Sequence, residues 1–345
     1  MLSHFNHLIS SIKSFKKRGG FHIFFSTIFS KICGFIASFV IVRLVSKNDY
    51  GVFSYALSFI VILLPFSGCG LNYSFLRFGV LKKTAEEKWS LFIEMFIYGL
   101  LYSFICFIII SIISMFIPFN ITGTKSVFIL LLLQIITIFP YEILNSYLRV
   151  LKQNNTFALS TIIFSLVYLF SNLSGTYLWG LKGSITAKII SPFISTVILI
   201  IITKELFKFS FSFKKSGFEY EKYGLYVGVG SIANQLLYSL DTIMLGYFIV
   251  QSDIIAEYRV ATIIPFSLMF IPIVFMQTDF VNISENYKNA SYLRKYFQKI
   301  SFLMFIISSI LLLFFMIFSK DILILIFGKQ YAVSSSLFNV FLIGL

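Results

Sequence analysis

Residues 224–246, GLYVGVGSIANQLLYSLDTIMLG, form the stretch on which the predicted architecture of the chain depends. The stretch predicts one long apolar helix with a single carboxylate, Asp241, near its far end. At helical spacing one face carries polar side chains and the other carries mainly aliphatic ones. An ionised Asp in hydrocarbon costs about 2.5–3.5 kcal/mol on insertion scales, so we expect Asp241 to face a cavity or a cation. The polar face consists of Ser231, Asn234, Gln235, Tyr238, Asp241 and Thr242.

The composition of the whole chain is that of a polytopic membrane protein. Of its 345 residues, 58% are hydrophobic, only 12% are charged, and 44 are Phe. A soluble domain could not bury that much apolar surface. The predicted fold class is therefore an all-α polytopic membrane protein. Apolar runs predict nine spans, at about 20–45, 51–77, 90–117, 127–148, 157–180, 184–203, 224–249, 259–281 and 300–318, and the start of a tenth near 331.

The basic residues are divided unevenly between the two sides of the membrane. The N-terminal arm and every second connection hold 19 Lys and Arg residues, and the other connections hold 7. Cytoplasmic loops carry the excess of Lys and Arg, so we predict a multi-pass membrane protein with a cytoplasmic N-terminus. The net charge of +14 is explained by this topology. No nucleic-acid partner is predicted.

The motifs that carry common enzyme chemistry are missing from the sequence. No P-loop, no GxGxxG after a strand, no GxSxG and no HExxH occurs. The three Cys are typical of packing residues, and nothing near the three His completes a set of metal ligands. No connection exceeds about 20 residues, which leaves no room for a catalytic domain. We predict a protein that is not an enzyme and has no metal site and no cofactor.

Two stretches of the chain resemble each other and predict two bundles of the same topology. The two stretches are Val45–Ala56 and Val250–Ala261, which lie 205 residues apart. In both, a small residue, an aromatic residue and Ala occur at the same relative positions. We expect a six-helix bundle over 1–203, a cytoplasmic linker over 204–223 and a second bundle over 224–345, arranged around a central cavity. The second bundle holds only spans 7–10, and the last span has about 15 of the roughly 20 residues that a crossing needs. It is therefore expected to be incomplete.

Five motifs together resemble one family. They are Arg43-Leu44 with Tyr50-Gly51-Val52-Phe53, Gly70-Leu71-Asn72-Tyr73-Ser74-Phe75-Leu76-Arg77, Asp241-x-x-Met244-Leu245-Gly246, Ala256-Glu257-Tyr258-x-x-Ala261 and Phe327-Gly328-x-x-Tyr331-Ala332. This pattern is similar to that of the polysaccharide repeat-unit flippases (O-antigen, Wzx type) of the multidrug/oligosaccharidyl-lipid/polysaccharide (MOP) exporter superfamily. Two features depart from it. Val45-Ser46 stands where the family often has Leu-Gly, and family members usually have more spans.

The resemblance implies transfer of an undecaprenyl-pyrophosphate-linked oligosaccharide, such as an O-antigen unit of lipopolysaccharide, from the inner to the outer leaflet of the bacterial inner (plasma) membrane. No covalent bond is made or broken in this step. The implied partners are the lipid-linked oligosaccharide, membrane lipids, and polysaccharide polymerase and chain-length proteins. Two alternatives stay open. One is another MOP transporter, either a peptidoglycan-precursor flippase or a cation-coupled drug exporter, and the other is a membrane enzyme or partner of glycan assembly.

Lys31, Asn234 and Gln235 are the candidate substrate contacts inside the spans. Lys31 lies in the middle of span 1, where its ammonium would attract a pyrophosphate in the lumen, the cavity expected between the bundles. The alternative for Lys31 is a structural role, in which the side chain snorkels or forms an ion pair. Lys31 shares its helix face with small and polar residues, namely Thr27, Gly34 and Ser38.

Arg77, Arg149 and Lys152 are the candidate contacts at the cytoplasmic rim. They come at the inner ends of spans 2 and 4, where a pyrophosphate or an anionic head group would enter. The alternative is that they only anchor the helix ends by the positive-inside rule. Charge reversal at Arg149 would separate the two interpretations.

Asp241 and Glu142 are the candidates for coupling transport to an ion gradient. Asp241 is expected to face Lys31 across the lumen in some states, so its carboxylate could take up and release a proton or Na⁺. The alternative is a static ion pair or a packing hydrogen bond. Glu142 follows Pro140, which bends a helix, and this makes a hinge or gate conceivable there.

Overall fold

The structure, a computed structural model, describes residues 20–204, 218–268 and 289–344. The basic arm before Gly20, most of the predicted linker and the second half of predicted span 8 lie outside the described residues. The described residues are almost entirely helical and contain no strand. The helices are α1 Gly20–Leu44, α2 Lys47–Leu63, α3 Leu71–Leu81, α4 Ala85–Phe116, α5 Thr124–Leu132, α6 Gln134–Val150, α7 Asn154–Ile202, α8 Glu219–Phe248, α9 Ser252–Leu268, α10 Ala290–Ile317, α11 Ser319–Phe327 and α12 Ser335–Ile343.

The prediction of an all-α polytopic membrane protein is confirmed. Within the described ranges, six stretches are helical, long and apolar enough to cross a membrane. A backbone in lipid must satisfy its own hydrogen bonds, which is why these apolar runs fold as helices. The six stretches are His22–Leu44, Lys47–Leu81, Ala85–Phe116, Thr124–Val150, Asn154–Ile202 and Ala290–Ile317.

Side-chain caps fix the starts of two spans. Ser46 precedes α2, and its hydroxyl accepts a hydrogen bond of 3.1 Å from the Asp49 N–H. Thr84 and Glu87 form a capping box at the start of α4, in which each side chain bonds the backbone of the other residue. Such caps satisfy N–H groups that have no partner inside the helix, typically for about 1 kcal/mol each.

Span 2 is not the continuous helix that its apolar run predicts. A 3₁₀ segment, Leu64–Gly70, separates α2 from α3, and Gly68, Cys69 and Gly70 have φ values of 59°, 49° and 74°. One backbone group freed by the break and one side chain of the segment find partners on neighbouring spans. The Gly68 N–H donates to the Ser103 hydroxyl at 2.8 Å, and the Ser67 hydroxyl donates to the Ile135 carbonyl at 2.8 Å. These bonds make a break tolerable inside a membrane.

Spans 5 and 6 are joined by one turn inside α7. Gly180 takes φ 57° and ψ −133°, a conformation open to glycine, and reverses the chain there. Next to the turn, Gly175 and Gly183 bring their backbones so close that a β-carbon on either one would overlap the other residue. The two spans therefore pack as a tight antiparallel pair.

The chain forms two compact units. One covers Phe25–Ala256, and the other contains the described residues of Met1–Phe24 and Glu257–Leu345. The first unit thus includes α8, which packs against α2, α3 and the 3₁₀ segment. The sequence-based boundaries at 203 and 224 follow the repeat pattern and stay a prediction.

Aromatic side chains fill the core of the first unit where α3, α4 and α6 meet. Tyr147 and Phe92 lie with ring centroids 4.6 Å apart, and Phe75 packs edge-on to Phe92 at 5.8 Å. Phe75 and Tyr147 are completely buried. Aromatic pairs in such arrangements contribute about 0.5–1.5 kcal/mol beyond their buried area, so this cluster fixes α3 against α6.

The second unit has its own buried cluster around α11 and α12. Leu323, Phe327, Tyr331 and Phe338 are each no more than 1% exposed. The ring of Phe338 lies 6.0 Å from that of Phe315 on α10 in a T-shaped contact. In contrast, α10 buries none of its described side chains within the protein, as expected for a helix with a lipid-facing surface.

Candidate functional site

A polar pair joins two spans in the interior of the first unit. Asn72, in the first turn of α3, donates a hydrogen bond of 2.9 Å from its side-chain nitrogen to the Glu142 carboxylate on α6. Asn72 is only 6% exposed, and Glu142 is half-buried. The 3₁₀ segment ends at Gly70, and α3 begins at the next residue. This places Asn72 next to α6. We call Asn72, Tyr73, Glu142 and Ser231 the polar cluster.

Tyr73 and Ser231 extend the polar cluster to a third helix. The Tyr73 phenol interacts with the side chains of Asn72 and Ser231 and with the charge of Glu142. Ser231 lies on α8, and its hydroxyl donates to the Val227 carbonyl one turn earlier at 2.9 Å. One side of the polar cluster is therefore built by the first helix of the predicted second bundle.

The hydrogen bonds of the polar cluster are incomplete. The side-chain oxygen of Asn72 is buried and has no hydrogen-bond partner. Glu142 forms no ion pair with any Lys or Arg in the described part of the chain. A carboxylate within a span and without a counter-charge is costly, and this favours a bound proton or a bound cation at Glu142. The groups that the polar cluster offers to a ligand are mainly oxygen atoms.

A second network holds the helix that carries Glu142. The Tyr141 hydroxyl donates to the Ser160 carbonyl on α7 at 3.2 Å. The Asn145 side chain donates to the Tyr141 carbonyl at 3.0 Å and accepts a hydrogen bond from the Ser160 hydroxyl. Pro140 lies within α6 just before these residues. The network ties α6 to α7 on both sides of Glu142, and so holds the carboxylate in place next to a proline.

Contacts at both ends fix α8 within the first unit. At the predicted cytoplasmic end, the Ser74 hydroxyl donates to the Tyr220 carbonyl at 2.6 Å. At the other end, the Asn120 side chain donates to the Tyr247 carbonyl at 2.9 Å. The face that packs is made of small residues, namely Gly224, Gly228, Ser239, Thr242 and Gly246.

The packing face corrects part of the predicted polar face. Thr242 is completely buried and belongs to the packing face, because residues at steps of three and four from Gly246 and Ser239 face the same neighbour. Asn234 and Asp241 are exposed, and Gln235 is half-buried. Gly224 and Gly228 lie close to the backbone of span 2, whereas Gly230 has no atom within 4 Å of its β position.

Lys31 lies on an exposed face of α1. Its neighbours on that face include Gly34, which has nothing within 4 Å of its β position. The Ser38 hydroxyl donates to the Gly34 carbonyl at 3.0 Å, so its hydrogen is already used within the helix. An exposed charge in the middle of a span is costly in lipid, so its place on the protein surface favours a wet cavity.

The rim residues pack on aromatic rings. The Arg77 guanidinium lies 4.5 Å from the centroid of the Tyr223 ring on α8, and Arg149 lies 5.6 Å from that of Phe157. Lys152 is exposed in the turn between α6 and α7, where it takes φ 58°. The structure therefore gives both arginines a packing role, and the Arg77 contact joins α3 to α8.

Sequence reasoning missed Asn72 and Tyr73 as partners of Glu142. The available signal was a single Asn inside an apolar run, two residues after Gly70. Sequence reasoning also treated Cys69 and Cys106 as distant packing residues. The two sulfur atoms lie 3.9 Å apart between the 3₁₀ segment and α4.

Comparisons with known proteins identify the family and the fold. The family described as "Polysaccharide biosynthesis protein" matches residues 17–264. No curated protein matches the sequence. Several solved transporter structures share the fold.

The inward-facing conformation of a multidrug resistance MATE family transporter of the MOP superfamily superposes with a TM-score of 0.67, at 19% identity over 91% of this chain and 76% of that chain. The outward-facing conformation of such a transporter gives 0.63, at 15% identity over 94% and 77%. A MOP superfamily transporter from Pyrococcus furiosus gives 0.57, at 15% identity over 94% and 76%. The chain belongs to the polysaccharide biosynthesis protein family, and its fold is that of the MOP superfamily of transporters.

Proposed function

We propose that the protein is a flippase that moves an undecaprenyl-pyrophosphate-linked oligosaccharide, the repeat unit of O-antigen or another surface polysaccharide, across the bacterial inner membrane by alternating access. The family match supports a role in polysaccharide biosynthesis. The main structural support is the exposure of Lys31 and Asp241 within spans of otherwise apolar character. Charged side chains at such depth mark a substrate path more often than a lipid contact.

The substrate has two parts that need different surroundings. Its pyrophosphate and sugars need a polar path, and its polyprenyl tail stays in lipid. In this proposal Lys31 attracts the pyrophosphate, and Asn234 and Gln235 on α8 contact sugar hydroxyl groups. Arg77, Arg149 and Lys152 supply positive charge at the cytoplasmic entrance. The polysaccharide polymerase and chain-length proteins then act on the transferred unit as partners.

Asp241 and Glu142 are proposed to couple transport to a proton or Na⁺ gradient. Each is a carboxylate within a span, and such groups mark proton and ion relays in membrane transporters. Glu142 has the stronger structural support because its partners are defined on α3 and α8. Of the alternative cargoes, none has support comparable to the family match, and the transporter fold disfavours a membrane enzyme.

A reconstitution experiment tests the proposed function. Purified protein is placed in liposomes with a lipid-linked oligosaccharide that carries a fluorescent label on its sugar. A membrane-impermeant reductant then bleaches only the label in the outer leaflet. Active flipping exposes the inner-leaflet label as well, so the whole signal should be lost over time. Signal loss confined to the outer leaflet, as in protein-free liposomes, would contradict the proposal.

A further inference from the structure

We propose that Cys69 and Cys106 form a reversible disulfide when a hydroperoxide oxidises the protein, and that this bond fastens the 3₁₀ segment Leu64–Gly70 to α4. Both residues are free thiols, and their Sγ atoms lie 3.9 Å apart. The disulfide and its effect on stability do not depend on the proposed function. Only its effect on transport rests on that function.

A neighbouring hydrogen bond sets the position of the two thiols. The Gly68 N–H donates to the Ser103 hydroxyl at 2.8 Å, and the next residue of the segment, Cys69, meets Cys106. Ser103 and Cys106 are three residues apart on α4, so they lie on the same face of that helix. The hydrogen bond therefore holds the 3₁₀ segment on α4 at the height where the sulfur atoms meet.

Cys69 occupies a backbone position that suits glycine better. It takes φ 49° and ψ 34°, and its neighbours Gly68 and Gly70 also have positive φ. The left-handed conformation is costly for a residue that carries a β-carbon. Glycine at position 69 would avoid this cost, so the presence of Cys there favours a role for its sulfur.

The two thiols are accessible to a small oxidant and close enough to react with each other. Both residues are half-buried, whereas Cys33, the third Cys of the chain, is only 3% exposed. A disulfide places its sulfur atoms about 2.05 Å apart, so the two must approach by about 2 Å. A change of side-chain rotamer can cover this distance.

The reaction needs the two thiols and one hydroperoxide. The sulfur of one Cys takes an oxygen atom from hydrogen peroxide, which breaks the O–O bond, gives a sulfenic acid and releases one water. The sulfur of the other Cys then attacks the sulfenic sulfur, so that the S–S bond forms, the S–O bond breaks and a second water leaves. In total the thiols lose two hydrogen atoms and are oxidised, and the peroxide is reduced to two waters.

The disulfide has a structural consequence because it joins two different spans. It would link residues 37 positions apart, one in the broken part of span 2 and one on α4. A cross-link of this kind restricts the unfolded chain and so stabilises the folded one. It also prevents the 3₁₀ segment from shifting along α4. Alternating access requires the spans to move, so under the proposed function the disulfide should slow transport.

Disulfide formation is measured on the purified full chain in detergent after treatment with hydrogen peroxide. Free thiols are counted in the denatured chain by the gel shift with a maleimide-linked polyethylene glycol. We expect three thiols before treatment, one after it, and three again after dithiothreitol. Mass spectrometry should find the peptides of Cys69 and Cys106 joined, with two hydrogen atoms lost. The oxidised chain should also have a higher melting temperature than the reduced chain.

Single variants identify the residues that react. Cys33→Ser is the matched control and should still form the disulfide and gain stability on oxidation. Cys69→Ser and Cys106→Ser should form no intramolecular disulfide and gain no stability. A folded wild type that keeps three thiols in peroxide, or a disulfide that includes Cys33, would overturn the proposal. A Cys69–Cys106 disulfide that leaves the melting temperature unchanged would contradict the fastening of the 3₁₀ segment.

The liposome assay tests the effect on transport. An antibody that quenches the label replaces the reductant, because the reductant would also attack the disulfide. Oxidised wild type should flip about fivefold more slowly than reduced wild type or slower still, dithiothreitol should restore the rate, and Cys106→Ser should not respond to peroxide. Equal rates for oxidised and reduced wild type would contradict the role in transport. Reduced wild type that does not flip would contradict the proposed function alone, since thiol count, mass and melting temperature decide the disulfide without it.

Discussion

Gly70 and Gly224 bring the backbones of span 2 and α8 into direct contact. A β-carbon at Gly224 would lie 2.8 Å from the Cys69 carbonyl oxygen, and one at Gly70 would overlap the Gly224 backbone. Gly70 also takes φ 74°, a backbone conformation that residues with a side chain rarely adopt. This contact seats α8 on the broken span next to the polar cluster.

Substitution of either glycine should loosen α8. We expect Gly224→Ala to destabilise the protein by about 1–3 kcal/mol, the usual cost of overpacking, and Gly70→Ala by more. Melting temperature in detergent measures both. Gly230→Ala is the matched control on the same helix, because its β position is open, and it should melt like the wild type. A Gly224→Ala variant as stable as the control would show that the close contact does not form.

Lys31 should be required for transport. Lys31→Ala removes the charge that is proposed to attract the pyrophosphate, so cells that depend on this protein should lose surface glycan while its level in the membrane is kept. Lys31→Arg keeps the charge and should retain part of the activity. Ile32→Ala, a change at the adjacent exposed position, should leave the glycan normal. Normal glycan from Lys31→Ala would rule out the substrate role.

The Arg77–Tyr223 contact should contribute to stability independently of transport. A cation over an aromatic ring at an exposed site is worth about 0.5–1 kcal/mol. A double-mutant cycle with Arg77→Ala and Tyr223→Leu should give a coupling energy in that range at the 4.5 Å contact. The longer contact of Arg149 with Phe157, at 5.6 Å, should give a smaller value. Fully additive effects at Arg77 and Tyr223 would show that the contact has no energetic role.

Asp241 should set the response of transport to an ion gradient. Asp241→Asn keeps the size of the side chain and removes its charge. We expect flipping by this variant to lose its dependence on an imposed proton or sodium gradient, whereas Leu237→Ala, at an exposed position of the same helix, should keep that dependence. Flipping by Asp241→Asn with the wild-type gradient response would exclude Asp241 as the coupling residue.

The spans that the structure supports could be predicted from the sequence because each depends on a local property, the length of an apolar run. Predicted span 7 is helical, as α8, but it is not among the six described stretches that are apolar enough to cross a membrane. The internal repeat also has a structural counterpart. The helices α2 and α9 begin at equivalent positions of the two similar stretches, Lys47 and Ser252. The Ser252 hydroxyl also donates to the side chain of Asn48, so the two stretches touch.

The break in span 2 and the partner of Glu142 depend on contacts between distant residues. Pro and Gly are tolerated in membrane helices, so Pro65 and Gly68 alone could not show that the chain leaves the helix there. The break depends on Ser103, which accepts from the Gly68 N–H. In the same way, Asn72 and Glu142 meet across 70 positions of sequence, and periodicity within one helix carries no information on such a pair.

The 3₁₀ segment Leu64–Gly70 makes span 2 two short rods joined by an elbow. The outer rod, α2, is held by α5, and the inner rod, α3, is held by α6. Because no continuous ladder of helical hydrogen bonds crosses the elbow, a tilt of the inner rod need not be transmitted to the outer one. The inner rod also carries Asn72 and one of the two sets of contacts to α8. In the proposed alternating access, the elbow would allow one mouth of the membrane path to change width while the opposite mouth stays shut.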